Sequence, residues 1–135
     1  MRHIICLLIA LAAAGDARAA TIYECLLTPS AENRWLADFV FIGHDAAADR
    51  VVVSDILILS FNDRAPVEGR IVTDNARRIT FAWELFVRGA GGQSARMSYR
   101  LTYQRGDGSA MATARPLGYD RLFQAAGQCE VKQRN

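Results

Sequence analysis

Few side chains in this chain are of the types that perform acid–base or metal chemistry. His44 lies in a polar segment with Asp38, Asp45 and Asp49 nearby. Imidazole and carboxylate groups of this kind bind zinc or calcium, or act as an acid–base pair. Their spacing matches no known metal motif, and we interpret the segment as a solvated turn. We therefore predict no metal site and no cofactor.

Nucleophilic and carboxylate chemistry have equally little support. A Ser-His-Asp triad would have to use His44, and no serine of the chain lies in a nucleophile-elbow context. Two carboxylates that are distant in sequence can meet in a fold and hydrolyse a glycosidic bond, but the spacing singles out no pair. We predict no catalytic residue, and we keep an envelope-associated hydrolase using unidentified Asp or Glu residues as the alternative.

The aromatic residues offer a different kind of site. Tryptophan and tyrosine combine a large apolar ring with a polar tip, which suits the lining of a ligand pocket. The candidate ligand-lining residues are Trp35, Trp83, Tyr99 and Tyr103. The same side chains would also fill the core of a domain this small, and both interpretations stay open.

The amino terminus has the pattern of a cleaved signal peptide. Arg2 and His3 precede an apolar stretch from Ile4 to Ala14, and Ala17-Arg18-Ala19 has the small-x-small pattern that signal peptidase reads. The apolar stretch is too short for a membrane-spanning helix, which takes roughly 20 residues. We predict that residues 1–19 are removed and that residues 20–135 form a single periplasmic or secreted domain.

Cleavage changes the composition in two ways. It removes Arg2, Arg18 and Asp16, so that 16 basic and 14 acidic residues become 14 and 13. This balance gives no reason to propose nucleic acid as a partner. It also removes Cys6, which leaves Cys25 and Cys129 as the two remaining cysteines. Two cysteines in an exported chain are most simply a disulfide, here between the first and last strands.

The rest of the chain is dominated by alternation of period two, which is typical of strands with one buried face. The pattern is clearest in 78–88 and resumes in 94–104 after a glycine-rich turn, which predicts a β-hairpin. One register that matches the two apolar faces sets Trp83 opposite Tyr99 and Leu85 opposite Met97. Glu84 would then lie diagonally between two arginines of the opposite strand.

Shorter β-like runs occupy most of the remaining chain. They include 21–27, 35–43, 50–53, 56–60, 70–73, 109–115 and 128–132. The segment 117–127 has apolar residues at helical spacing, which favours one or two turns of helix there. Seven or eight short strands predict an all-β, mainly antiparallel domain, either a small β-barrel or a β-sandwich.

The two cysteine contexts carry a resemblance. The Tyr23-Glu24-Cys25 start and the Gly127-Gln128-Cys129 end resemble those of small uncharacterised secreted β proteins of proteobacteria. This resemblance implies a bacterial periplasmic location and no particular activity. The layout is also similar to that of periplasmic inhibitors of c-type lysozyme, which are small disulfide-containing β-barrels. Their inhibitory Ser-Gly loop signature is absent, so no residue role carries over.

An exported, crosslinked β domain with so few catalytic groups points to a non-catalytic binding or interaction module. A small apolar ligand or an envelope protein would each fit as the partner. The arginines of the predicted hairpin's outer face (Arg96 and Arg100, with Arg78 and Arg88 at its ends) offer an acidic partner a second surface, unless they are simply solvated.

Overall fold

The computed structural model describes residues 20–89 and 91–134, and these form a closed β-barrel of eight antiparallel strands in sequence order. The predicted signal peptide, residues 1–19 with Cys6, lies outside the described residues. The all-β prediction is confirmed, and the choice between sandwich and barrel is decided for the barrel. The strands are β1 (Ala20–Thr28), β2 (Phe39–Asp45), β3 (Arg50–Asp55), β4 (Val67–Asp74), β5 (Arg78–Arg88), β6 (Ser94–Gln104), β7 (Ser109–Pro116) and β8 (Phe123–Arg134).

The β5–β6 hairpin follows the alternation seen in the sequence. Trp83 pairs with Tyr99 and Leu85 with Met97, as predicted. Glu84 pairs with Ser98, which puts it diagonally between two arginines of β6, and its carboxylate lies 3.9 Å from Arg96 Nη1. The register is fixed because a slip of one residue would turn the inward-facing apolar side chains of the hairpin outward.

Inward-facing side chains fill the barrel interior. Strands β5 and β6 contribute Phe81, Trp83, Tyr99 and Leu101, all nearly inaccessible to solvent, and Ile42 packs among them from β2. Eight strands enclose a space that side chains of ordinary size can occupy completely. The centre of this barrel is therefore a packed core.

The alternating connections give the barrel two different ends. The end that we call the mouth carries the four longer connections (29–38, 56–66, 89–93 and 117–122), while the opposite end carries three short turns. A short 3₁₀ helix, Ala31–Asn33, lies in the first of the mouth connections. Among the described residues, no helix has the length and apolar character needed to cross a membrane.

The predicted strand at 56–60 is wrong, because Ile56–Phe61 form a helix, α1, in the second mouth connection. Asp55 caps it, since its side chain accepts a hydrogen bond from the Ile58 backbone N–H at 2.8 Å. Ile58 is fully buried over the end of the core. The cap and this burial outweigh the strand preference of β-branched residues.

The helical turns predicted in 117–127 are also absent. Residues 117–122 form an irregular connection, and β8 begins at Phe123. Tyr119 and Leu122, which set the helical spacing, are 67% and 42% exposed, so no buried face holds them in a helix. The predicted strand at 35–43 likewise begins later, at Phe39.

The predicted disulfide is present. Cys25 and Cys129 are direct partners in the β1–β8 ladder and are bonded through sulfur. The crosslink therefore joins the first and last strands at the place where the barrel closes. Cys25 is fully buried, so one side of the bond packs against the core.

Candidate binding site at the mouth of the barrel

The four aromatic residues predicted to line a pocket occupy three different places. Trp83 and Tyr99 are each 2% exposed and stack in the interior, with ring centroids 5.5 Å apart and planes nearly parallel. Tyr103 lies toward the opposite end, edge-on to Tyr23. Trp35 is half-buried at the mouth. Of the four, Trp35 alone lines one of the surface clefts described below.

A cleft of about 370 Å³ opens beside Trp35, and we call it the mouth cleft. Its floor consists of the buried side chains Val87, Met97 and Phe123, which belong to the top layer of the core. Its walls come from three separate connections of the mouth. The lining residues are Trp35, Val87, Gly89, Gln93, Ser94, Ala95, Met97, Pro116, Tyr119, Arg121 and Phe123.

A second hollow of about 500 Å³ adjoins the mouth cleft on the other side of Trp35. The two share Trp35, Arg121 and Phe123, and the second adds Glu32 and Arg34. The Arg121 guanidinium lies 5.1 Å from the centroid of the Phe123 ring, a distance that suits a cation–π contact. The rim of the cleft is therefore partly cationic, while its floor is apolar.

Two hydrogen bonds hold the first mouth connection against the barrel. The Tyr99 hydroxyl donates to the Trp35 carbonyl oxygen at 3.0 Å. The Asn33 side-chain oxygen accepts from the Gln124 backbone N–H at 3.1 Å. Burial raises the pKa of Tyr99, and the nearby Asp55 carboxylate adds to the shift, so the hydroxyl stays protonated as a donor. Trp35 is thus positioned by the core stack beneath it.

The Trp83 indole N–H is buried and has no hydrogen-bond partner among the described residues. An unpaired buried donor of this kind costs about 1–3 kcal/mol. Stacking on Tyr99 and full burial of the ring oppose that cost.

Of the groups considered for metal and acid–base chemistry, His44, Asp45 and Asp49 lie toward the opposite end of the barrel, while Asp38 ends the first mouth connection. His44 is half-buried in β2 with its ring against Phe81 toward the opposite end. The Asp45 carboxylate accepts from the Ala48 backbone N–H at 3.1 Å and so shapes the β2–β3 turn. Across residues 20–89 and 91–134, no three His, Cys, Asp or Glu side chains are grouped to hold a metal ion.

Sequence reasoning missed the residues of the β7–β8 connection. The helical spacing of 117–127 places Tyr119 and Arg121 of this connection, and Phe123 at the start of β8, in a helical segment. Gly118 and Asp120, on either side of Tyr119, are instead typical of turns. An exposed aromatic residue among turn residues is the signal that would have indicated a binding loop.

Comparison with protein-family models, curated proteins and solved structures finds no significant match to this chain. The arrangement of the mouth therefore has to be interpreted from its own geometry.

Proposed function

We propose that this protein is an exported, non-catalytic binding module that holds a small, largely apolar ligand in the mouth cleft. The observation that carries the proposal is the floor of that cleft. Val87, Met97 and Phe123 belong to a filled core, yet they border open space beneath Trp35. Since the barrel centre is occupied by side chains, the mouth is the part of this aromatic-rich core that a ligand can reach.

The dimensions and chemistry of the cleft suit such a ligand. A volume of about 370 Å³ lies at the lower end of the range of roughly 300–1,000 Å³ typical of small-molecule sites. Its lining is mostly apolar, with Gln93, Ser94 and Arg121 as the polar groups that would orient a bound molecule. An apolar molecule in the cleft would cover the ring of Trp35 and part of Tyr119.

Export to the periplasm or to the medium is part of the proposal. It rests on the signal-peptide pattern of residues 1–19 and is compatible with the Cys25–Cys129 disulfide, which an oxidising compartment preserves. The hydrolase alternative gains no specific observation. Among the described residues, Asp55 is the carboxyl group whose pKa is raised, by burial, and it is occupied in capping α1.

The two tryptophans provide a test, because Trp35 lies at the mouth and Trp83 lies in the core. In a Trp83→Phe variant, Trp35 becomes the sole tryptophan emitter. We expect the neutral apolar dye N-phenyl-1-naphthylamine to bind with one-to-one stoichiometry and to quench this emission. Trp35→Ala should weaken dye binding roughly tenfold, which corresponds to about 1.4 kcal/mol.

Phe86→Ala is the matched control, since Phe86 is 60% exposed on the outer face of β5. This variant should bind the dye as the wild type does. Far-ultraviolet circular dichroism would verify that each variant is folded. Equal binding by Trp35→Ala and Phe86→Ala, or no binding at all, would contradict the proposal.

A further inference from the structure

We propose that this protein has a second binding site, on the outside of the barrel, for a phosphate or sulfate monoester that carries a short alkyl chain. The site is a groove of about 440 Å³ over β6 and β7, which we call the outer groove. It is lined by Ser98, Arg100, Thr113, Arg115, Leu117 and Leu122. None of these residues lines the mouth cleft, so the inference stands independently of the proposed function.

The strand register creates the polar part of the outer groove. Ser98 pairs with Arg115, and Arg100 pairs with Thr113. All four point away from the core, because their neighbours Tyr99 and Ala114 point into it. The two guanidinium groups therefore occupy one diagonal of a four-residue patch, and the two hydroxyl groups occupy the other.

This patch consists of side chains that donate hydrogen bonds. Each guanidinium has five N–H donors and each hydroxyl has one, whereas the patch contains no carboxylate. A phosphate or sulfate monoester has three terminal oxygen atoms that accept hydrogen bonds, and arginine binds such groups through two N–H donors at once. The chemistry of the patch is therefore complementary to an oxyanion.

The positive charge of the patch is not neutralised by an ion pair within the described part of the chain. Neither Arg100 nor Arg115 has a carboxylate oxygen within 4.0 Å. Glu84 is the neighbouring acid, since it pairs with Ser98 from β5, but its carboxylate is directed to Arg96. The Arg96 guanidinium also lies 4.7 Å from the centroid of the Phe86 ring. Neither Arg96 nor Glu84 lines the outer groove.

The apolar part of the outer groove comes from the β7–β8 connection. Leu117 and Leu122 are 47% and 42% exposed and lie beside the patch, where they enclose one end of the groove. Exposed leucines beside unpaired arginines match an amphiphilic anion, because its alkyl chain would cover the leucines while its head group meets the arginines. This pairing leads us to an ester with an alkyl chain and not to the inorganic ion.

Calorimetric titration of the mature protein with octyl phosphate and octyl sulfate, below their micelle concentrations, tests the proposal. We expect one-to-one binding of at least one of them, which identifies the preferred head group. Inorganic phosphate should bind more weakly, and octanol should not bind. Arg100→Gln and Arg115→Gln should each weaken binding roughly tenfold, as expected for loss of a charge-assisted pair.

Arg77→Gln is the matched control, because Arg77 is an exposed arginine in the turn between β4 and β5, at the opposite end of the barrel. Amide chemical shifts should change at 98–100, 113–115 and 117–122, and dye binding in the mouth cleft should be unaffected by Arg100→Gln. Equal weakening by Arg77→Gln would reveal a general charge effect and overturn the proposal. Shift changes confined to the mouth, or the absence of any binding, would do the same.

Discussion

At the scale of single residues, Asp55 shows how the mouth is held in place. Asp55 is the last residue of β3 and the N-cap of α1. Its carboxylate accepts a hydrogen bond from the Ile58 backbone N–H. Asp55 is 7% exposed, and burial raises its pKa even though hydrogen bonds from the Ile58 and Leu57 backbone lower it. A carboxyl group is thus held in a buried position, where it supplies the acceptor that caps α1.

Replacing this carboxylate should separate its charge from its capping role. Since the pKa is raised, the folded protein holds the Asp55 proton more tightly than the unfolded chain does. The contribution of this group to stability is therefore full below about pH 3.9 and is lost as the pH rises through the folded-state pKa. Asp55→Asn keeps the cap without the charge, so we expect it to be more stable than the wild type at pH 7.

Urea unfolding between pH 4 and pH 7 measures this difference, which should shrink as the pH falls. Asp55→Ala loses the cap and should be about 1 kcal/mol less stable than Asp55→Asn throughout the range. A pH-independent difference between Asp55→Asn and the wild type would refute this account of the charge.

At the scale of elements, the closure of the barrel depends on close contact between β1 and β8. Gly127 pairs with Leu27 on one side and with Ala110 on the other. A Cβ at this position would overlap the backbone carbonyl of Leu26, with the carbonyl carbon only 2.8 Å away. Glycine is required there because two strand backbones approach more closely than a side chain permits.

Gly127→Ala should therefore force β1 and β8 apart. We expect a loss of at least about 2 kcal/mol in the free energy of unfolding, within the range for overpacked sites. Gly106→Ala is the matched control, since a Cβ there meets nothing within 4 Å and the backbone does not adopt a positive φ. Similar unfolding midpoints for the two variants would contradict the close approach.

At the scale of the whole molecule, one covalent bond joins the first and last strands of the barrel. The disulfide spans 104 residues of sequence and sits within the β1–β8 ladder. In the chain-entropy model, a crosslink of this length stabilises the fold by about 4.7 kcal/mol, because it restricts the unfolded chain. That is a large share of the roughly 5–15 kcal/mol typical of a domain.

The Cys25→Ala/Cys129→Ala variant should lose about 4–5 kcal/mol of stability in urea unfolding. Reduction of the wild-type protein should lower its midpoint to a similar value. Exported protein should have the mass of residues 20–135 less two hydrogens. A free-thiol signal from that material would contradict the crosslink, and an intact amino terminus would contradict the export proposal.

The predictability of the fold differed from segment to segment. The β5–β6 hairpin was predicted with its register because alternation over two runs of 11 residues permits few pairings. Helix α1 was missed because Ile56-Leu57-Ile58-Leu59 has strand-like propensity, and only a cap and a buried contact decide for helix. Trp35 was predicted as a site residue. Arg121 and Phe123 reach the mouth cleft, and Arg115 reaches the outer groove, only through folding.

The sequence by itself predicted most of the strands and the cysteine pair, since alternation and the two cysteines that remain after the predicted cleavage are recognisable along the chain without its fold. The tertiary structure alone decided that the barrel closes, that Trp83 and Tyr99 are core residues, and that Trp35 and Phe123 line the same cleft at the mouth. It also decided that Arg100 and Arg115 share one patch. The physical reason is that these properties depend on which strands become neighbours, and no single run of residues specifies that.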